Sequence, residues 1–339
     1  MSGLARGCGA AGLYRYGRRI AALLTVAFLS VAAERAMGCP TFPAPISDIN
    51  AFEFRTDIGG AVDPVLRERN NAVMEPLRTY ARFVSSAADR FVADADIPAG
   101  MCALSGLRQW AQASALLGVM ANAQAERERA TLVSGLAFAY LKTKGLASDD
   151  DKKLIEAWLV DLAKSVETGF AGPARPRSVE LAGLAALAVG AATGDREHWQ
   201  FGESVYDQAL AAIDNDGLLS TAMMGGERVL FDQNIALGAL VMMAELAARQ
   251  LGQNWYMRHD GAIHRFADRV LDGLHDPSWL GERCGKSQFL PSGRDLAWIA
   301  FYARRFPDRF AGRVPDGANF QSPRLGGDLT VLAEKWVRG

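Results

Sequence analysis

Four polar residues stand where an otherwise apolar helix begins. They are Arg228, Asp232, Gln233 and Asn234, in the stretch DNDGLLSTAMMGGERVLFDQNIAL from Asp214 to Leu237. A guanidinium neutralises an anion, a carboxylate serves as a base where burial raises its pKa, and amides orient hydroxyl groups. Asp214, Asn215, Asp216 and Gly217 make a turn ahead of them. The Gly225-Gly226 pair then precedes a helix expected to start near Glu227 and to stay apolar through Met243. A buried helix carries such groups where partners satisfy them or where they line a wet cavity. The stretch is therefore the candidate floor of a binding site, with Asp232 as candidate base. The plainer alternative is that Asp232 pairs with Arg175, Arg177 or Arg228 and fixes the helix.

The remaining reactive side chains offer less. His198 follows Gly194-Asp195-Arg196-Glu197, a helix start, and is expected at the surface. His259 and His264 lie in a polar helix with no third ligand in sight, so no metal site is expected. His275, before Asp276-Pro277, suits the negative end of a helix dipole. Cys284, in GERCGKS, has no histidine partner, and the glycine spacing falls short of a phosphate-binding loop. No cofactor is expected.

These groups must be held by a fold, and the chain is long enough for one. It has 339 residues, 50% hydrophobic and 22% charged, with a formal net charge of −1. No cluster of lysine or arginine suggests nucleic acid as a partner. Arg15, Arg18 and Arg19 precede an apolar run from Ile20 to Ala33, the pattern of a secretory signal peptide with cleavage before Glu34. That run is too short for a comfortable membrane span. A lipoprotein reading at Cys39 lacks the usual leading leucine, so the expectation is a periplasmic protein without a transmembrane segment in its mature chain. Removing residues 1–33 takes away four arginines and no acids, which lowers the net charge from −1 to −5. Export leaves Cys39, Cys102 and Cys284 in an oxidising compartment, an odd number.

Residues 34–60 read as irregular, and 61–339 as one helical domain. Apolar residues recur at helical spacing in Leu66, Met74, Leu77, Ala81 and Val84, up to a loop at Asp94–Gly100. A second helix after Met101 carries Leu104, Leu107, Trp110, Ala111 and Ala115. A third carries Leu132, Leu136, Ala139, Tyr140 and Leu141. Ser148 followed by three aspartates is an N-cap with acids in the first turn, and that helix runs through Ile155, Trp158, Leu159 and Leu162. Residues 179–193 are apolar nearly all round, as in a buried helix. Long β-type alternation is absent from the reading, and paired helices with short turns argue an all-α domain. Periodicity alone leaves toroid, solenoid and bundle open.

In its motifs the chain resembles the mannuronate-lyase family of periplasmic alginate lyases. Asp216, Gly217 and Leu218, then Arg228, Leu230, Asn234, Ala236 and Leu237, keep the frame of that family's Asp-Gly-Phe-Leu-Pro and Arg-Ala-Leu-Ala-Tyr-His-Asn segments. IEAW at Ile155–Trp158, DRVL at Asp268–Leu271, AWIAFYARRFP at Ala297–Pro307 and RLGGDLT at Arg324–Thr330 follow in order. The resemblance implies an incomplete α/α toroid around a deep cleft. It also implies a Cys39–Cys102 disulfide, with Cys284 free.

The implied activity is β-elimination of 1,4-linked uronates, which needs a carboxylate neutraliser, a base and an acid. Most of the family's set is replaced here. Its Asn-Asn-His positions are Arg175, Pro176 and Arg177, with Ser178 kept; its basic run is Met223, Met224, Gly225, Gly226 and Glu227, with Arg228 kept. Its tyrosine and histidine fall on Asp232 and Gln233, and a lid tyrosine falls near Ile58. By position, Arg175, Arg177, Arg228, Gln233 and Asn234 are the candidate substrate-binding residues. Trp110 and Trp158 are candidate sugar platforms or core residues. The 173–178 loop is expected to face the Arg228–Asn234 helix start. Two functions stand beside each other: a lyase with a rewired acid–base pair, and an inactive scaffold that holds a polysaccharide or an exopolysaccharide export partner.

Overall fold

The computed structural model describes residues 38–53, 63–171, 179–310 and 317–337. The signal-peptide reading, Ile58, Arg175, Arg177 and the rest of the 173–178 loop lie outside the described residues. The chain divides into two units, Met1–Thr41 and Phe42–Gly339. Of the first, residues 38–41 are described.

Side-chain caps set six helix starts among the described residues of the second unit. Asp63 accepts from Val65 and Leu66 N–H at 2.8 and 3.0 Å and opens α1, Pro64–Asp94, with proline at its first position. Asp96 accepts from Ala99 N–H and opens α2, Ile97–Gln112, so the expected loop up to Gly100 is cut to two residues. Asn122 caps α3, Ala123–Thr143. Ser148 and Asp151 cap each other at the start of α4, Asp149–Ala171. The apolar helix α5, Val179–Thr193, is buried around almost its entire circumference. Asp195 caps α6, Arg196–Ala211.

A 3₁₀ segment, Ser220–Arg228, leads into α7, Val229–Leu251. The helix was expected from Glu227, and the left-handed Gly226 (φ 57°) is what delays it. There follow α8, Arg258–His275; α9, Ser278–Cys284; α10, Ile299–Arg305; α11, Pro307–Phe310; and α12, Leu329–Trp336. Two residue pairs, Gln321–Ser322 and Gly327–Asp328, form a short antiparallel ladder.

The helices pack in two layers. α1, α3, α5 and α7 lie side by side in chain-alternate order, and α2, α4, α6 and α8 form a second row backing them. Each odd helix pairs with the even helix that follows it, and α12 touches both α10 and α1, bringing the row back towards its start. The architecture is the incomplete α/α toroid. One helix among the described residues, Gly226–Leu251, is long and apolar enough to cross a membrane, but most of it is buried inside the domain, as befits a core helix.

Buried polar groups fasten the ring. Lys142 of α3 donates to Asp89 of α1 and to the Gly326 carbonyl, while Asp89 accepts from Asp328 N–H at 2.9 Å. At Gly327 φ is 100°, and a Cβ there would meet the Asp89 carboxylate, so the RLGGDLT tail needs glycine for this approach. Glu245 of α7 is fully buried; it accepts from Arg305 Nε and Nη2, both at 2.6 Å, and from Tyr256 Oη at 2.7 Å. Cys39 and Cys102 are disulfide-bonded and Cys284 carries a free thiol.

His198, expected at the surface, is instead buried, with Nδ1 2.7 Å from Glu167 Oε1 of α4. The Glu167 hydrogen bond raises the histidine pKa against the opposing effect of burial. A raised folded-state pKa contributes stability that is fully present below the unfolded value, near 6.5, and is lost as pH rises through the folded value. The stability difference between wild type and His198→Gln should therefore be largest below about pH 6.5 and shrink in alkali. Urea unfolding across a pH series checks this, and a difference that grows with pH would refute it.

Candidate functional site

The turn before α7 is closed by its own side chains. Leu218 N–H donates to Asp214 Oδ1 at 2.8 Å and Gly217 adopts φ 78°. Arg283 holds the turn from outside, 2.7 Å from Asp216 and 3.7 Å from Asp214.

At the start of α7 the four polar residues divide by direction. Gln233 and Asn234 point inward and are fully buried. Gln233 accepts from Leu219 N–H and donates to the Leu219 carbonyl, both at 2.9 Å, a two-bond clamp on the preceding segment. Asn234 donates to the Asp295 carbonyl and accepts from Trp298 Nε1, again both at 2.9 Å. Buried amides with matched partners hold the fold together, and neither presents these groups to a ligand.

Arg228 and Asp232 point the other way and are partly exposed, with Nη2 to Oδ1 at 3.6 Å across one helical turn. The guanidinium lies 4.0 Å over the ring of Phe231 and 5.9 Å from that of Phe289. The two rings meet at 5.7 Å and 58°. Phe289 N–H donates to the Glu227 carbonyl at 2.6 Å, so the 286–290 loop is bonded to the helix start.

Trp110 and Trp158 belong to the core. Trp110 is fully buried, stacked on Tyr80 at 3.6 Å with parallel rings, and donates to the Pro43 carbonyl at 3.2 Å. Trp158 donates to the Ala115 carbonyl at 2.8 Å. With faces and N–H groups so engaged, they do not serve as sugar platforms. Phe231 and Phe289 were missed in the sequence, where Phe231 reads as one more apolar helix residue. The available signal for the other was Phe289-Leu290, an apolar pair inside the polar run GKSQFLPSG.

The other titratable groups are accounted for by packing. The five described tyrosines, Tyr80, Tyr140, Tyr206, Tyr256 and Tyr302, are all essentially buried. Burial pushes the hydroxyls of Tyr80, Tyr140, Tyr206 and Tyr256 upward. His264, read as part of a polar helix, is buried with Nδ1 2.9 Å from Tyr302 Oη. Glu180 on α5 is 2% exposed, and burial raises its carboxyl against the lowering effect of its own backbone N–H. Burial also raises the Cys284 thiol. Among the described residues no three His, Cys, Asp or Glu side chains converge to hold a metal ion.

The alginate lyase family model matches residues 77–280. A polysaccharide lyase of Stenotrophomonas maltophilia (strain K279a) is 38% identical over 92% of this chain and 95% of its own length. An alginate lyase of Pseudomonas syringae pv. syringae (strain B728a) is 28% identical over 88% and 84%. Among solved structures, a histidine-to-alanine variant of alginate lyase A1-III complexed with tetrasaccharide superposes with a TM-score of 0.78 at 25% identity, covering 88% of this chain and 86% of that one. The chain belongs to the alginate lyase family.

Proposed function

We propose that this protein is exported by its N-terminal segment and binds a bacterial exopolysaccharide, with the family's uronate β-elimination attenuated or lost. The observation that carries this is the Arg228–Asp232 pair. These groups stand where the resemblance puts a carboxylate neutraliser and a tyrosine, and here they engage each other at 3.6 Å. The guanidinium is also stacked on Phe231. The tetrasaccharide bound by alginate lyase A1-III variants supports a saccharide as the ligand class. The disulfide fits an oxidising compartment such as the periplasm. An export-complex scaffold is the same reading with a protein partner added.

A rewired lyase is the second reading, favoured by Glu180, a carboxylate only 2% exposed whose pKa burial raises above its ordinary value, as in a candidate acid or base. One experiment separates them. The mature protein is incubated with a panel of bacterial exopolysaccharides, with binding followed by calorimetry and cleavage by the ultraviolet absorbance of the unsaturated product. Binding without product supports the scaffold. Product that disappears in Glu180→Gln supports the lyase, and neither binding nor product sinks both.

A further inference from the structure

We propose that the outward face of Phe289, with Leu290 beside it, is a stacking platform for an uncharged hexopyranose unit, so that the site selects neutral or sparsely charged polysaccharides over polyuronates. This deepens, and rests on, the polysaccharide reading above.

Phe289 is 53% exposed and Leu290 45% exposed, yet their loop is firmly held. Gln288, only 8% exposed, accepts from Leu230 N–H at 3.2 Å and donates to the Gly226 and Lys286 carbonyls, both at 3.0 Å. With the Phe289–Glu227 backbone bond, four hydrogen bonds present an apolar ring to water beside Arg228. An exposed aromatic with so little freedom loses little entropy on binding, the condition that favours stacking contacts. The C–H face of a hexopyranose matches such a ring in size, and its hydroxyls stay at the wet rim.

Charge decides the class. Arg228 faces Asp232, and Arg283 faces Asp214 and Asp216, so both guanidiniums already have carboxylates for partners. Lys286 remains as an exposed cation in the loop. Among the described residues of this loop and the helix start that is one exposed charge, whereas a polyuronate carries one carboxylate per residue. A sugar carboxylate would have to compete with Asp232 for Arg228.

The test is affinity electrophoresis of the intact mature protein in gels containing neutral β-1,4-glucomannan or polymannuronate, at low and high salt. Retardation is expected in glucomannan and should be insensitive to salt, since neutral contacts are not screened. Phe289→Ala should weaken it roughly tenfold, and Phe289→Trp should retain it. Position 289 is exposed, so both variants should fold, which circular dichroism checks. Stronger, salt-sensitive retardation in polymannuronate overturns the selectivity, and equal retardation of wild type and Phe289→Ala overturns the platform. A wild type that moves freely through both polymers, and binds no other exopolysaccharide by calorimetry, overturns the polysaccharide reading as well.

Discussion

Polymannuronate mixed with the purified protein is expected to yield unsaturated product at least roughly a hundredfold more slowly than with an alginate lyase relative measured in parallel, since a positioned acid or base is typically worth 10²–10⁴-fold. The expectation follows from where the candidate groups sit. Asp232 is drawn to Arg228, Gln233 is buried in its clamp on Leu219, and the five described tyrosines are packed in the core. Turnover comparable to the relative's would refute it.

Putting back the family's residues by Asp232→Tyr with Gln233→His should not restore the rate. An imidazole in place of Gln233 cannot both accept from Leu219 N–H and donate to its carbonyl from one amide plane, so a buried backbone group would lose its partner at about 1–3 kcal/mol. The double variant should therefore be less stable than wild type and still slow. Recovery of ordinary turnover in it would show that the Gln233 clamp is dispensable.

Glu245→Ala is expected to destabilise the domain by about 3–5 kcal/mol, because it strands the Arg305 guanidinium and the Tyr256 hydroxyl beside a buried site. Glu245 is fully buried and receives three hydrogen bonds, two of them from Arg305. The double variant Glu245→Leu, Arg305→Met should recover much of that loss, since an apolar pair leaves no uncompensated charge. Urea unfolding of the three proteins measures this. A single variant as stable as wild type would show that water replaces the carboxylate without cost.

The sequence by itself determined the helical class, the burial of residues 179–193 and the helix starts at Ser148 and Asp195. Caps such as Asp63, Asn122 and Ser148 act on backbone groups within four residues, and a local signal of that kind is written in the chain. It also carried the family through short motifs kept in order. The glycines of RLGGDLT were legible as a motif, though not their reason, which is the approach of Asp89 from α1.

Which way each polar residue faces was decided by tertiary structure. Asp232, Gln233 and Asn234 are consecutive, and neighbouring positions on a helix point about 100° apart, so one step separates a partly exposed carboxylate from a buried clamp. Whether an amide there binds a ligand or the Leu219 backbone depends on the segment that packs beside it. His198 went inward because Glu167, thirty-one residues earlier in the chain, supplies an acceptor at 2.7 Å. Phe289 became a candidate platform because Gln288 bonds its loop to the start of α7, fifty-eight residues away along the chain at Leu230. Such partners are distant in sequence, and no local pattern encodes them; only packing brings them within hydrogen-bonding reach.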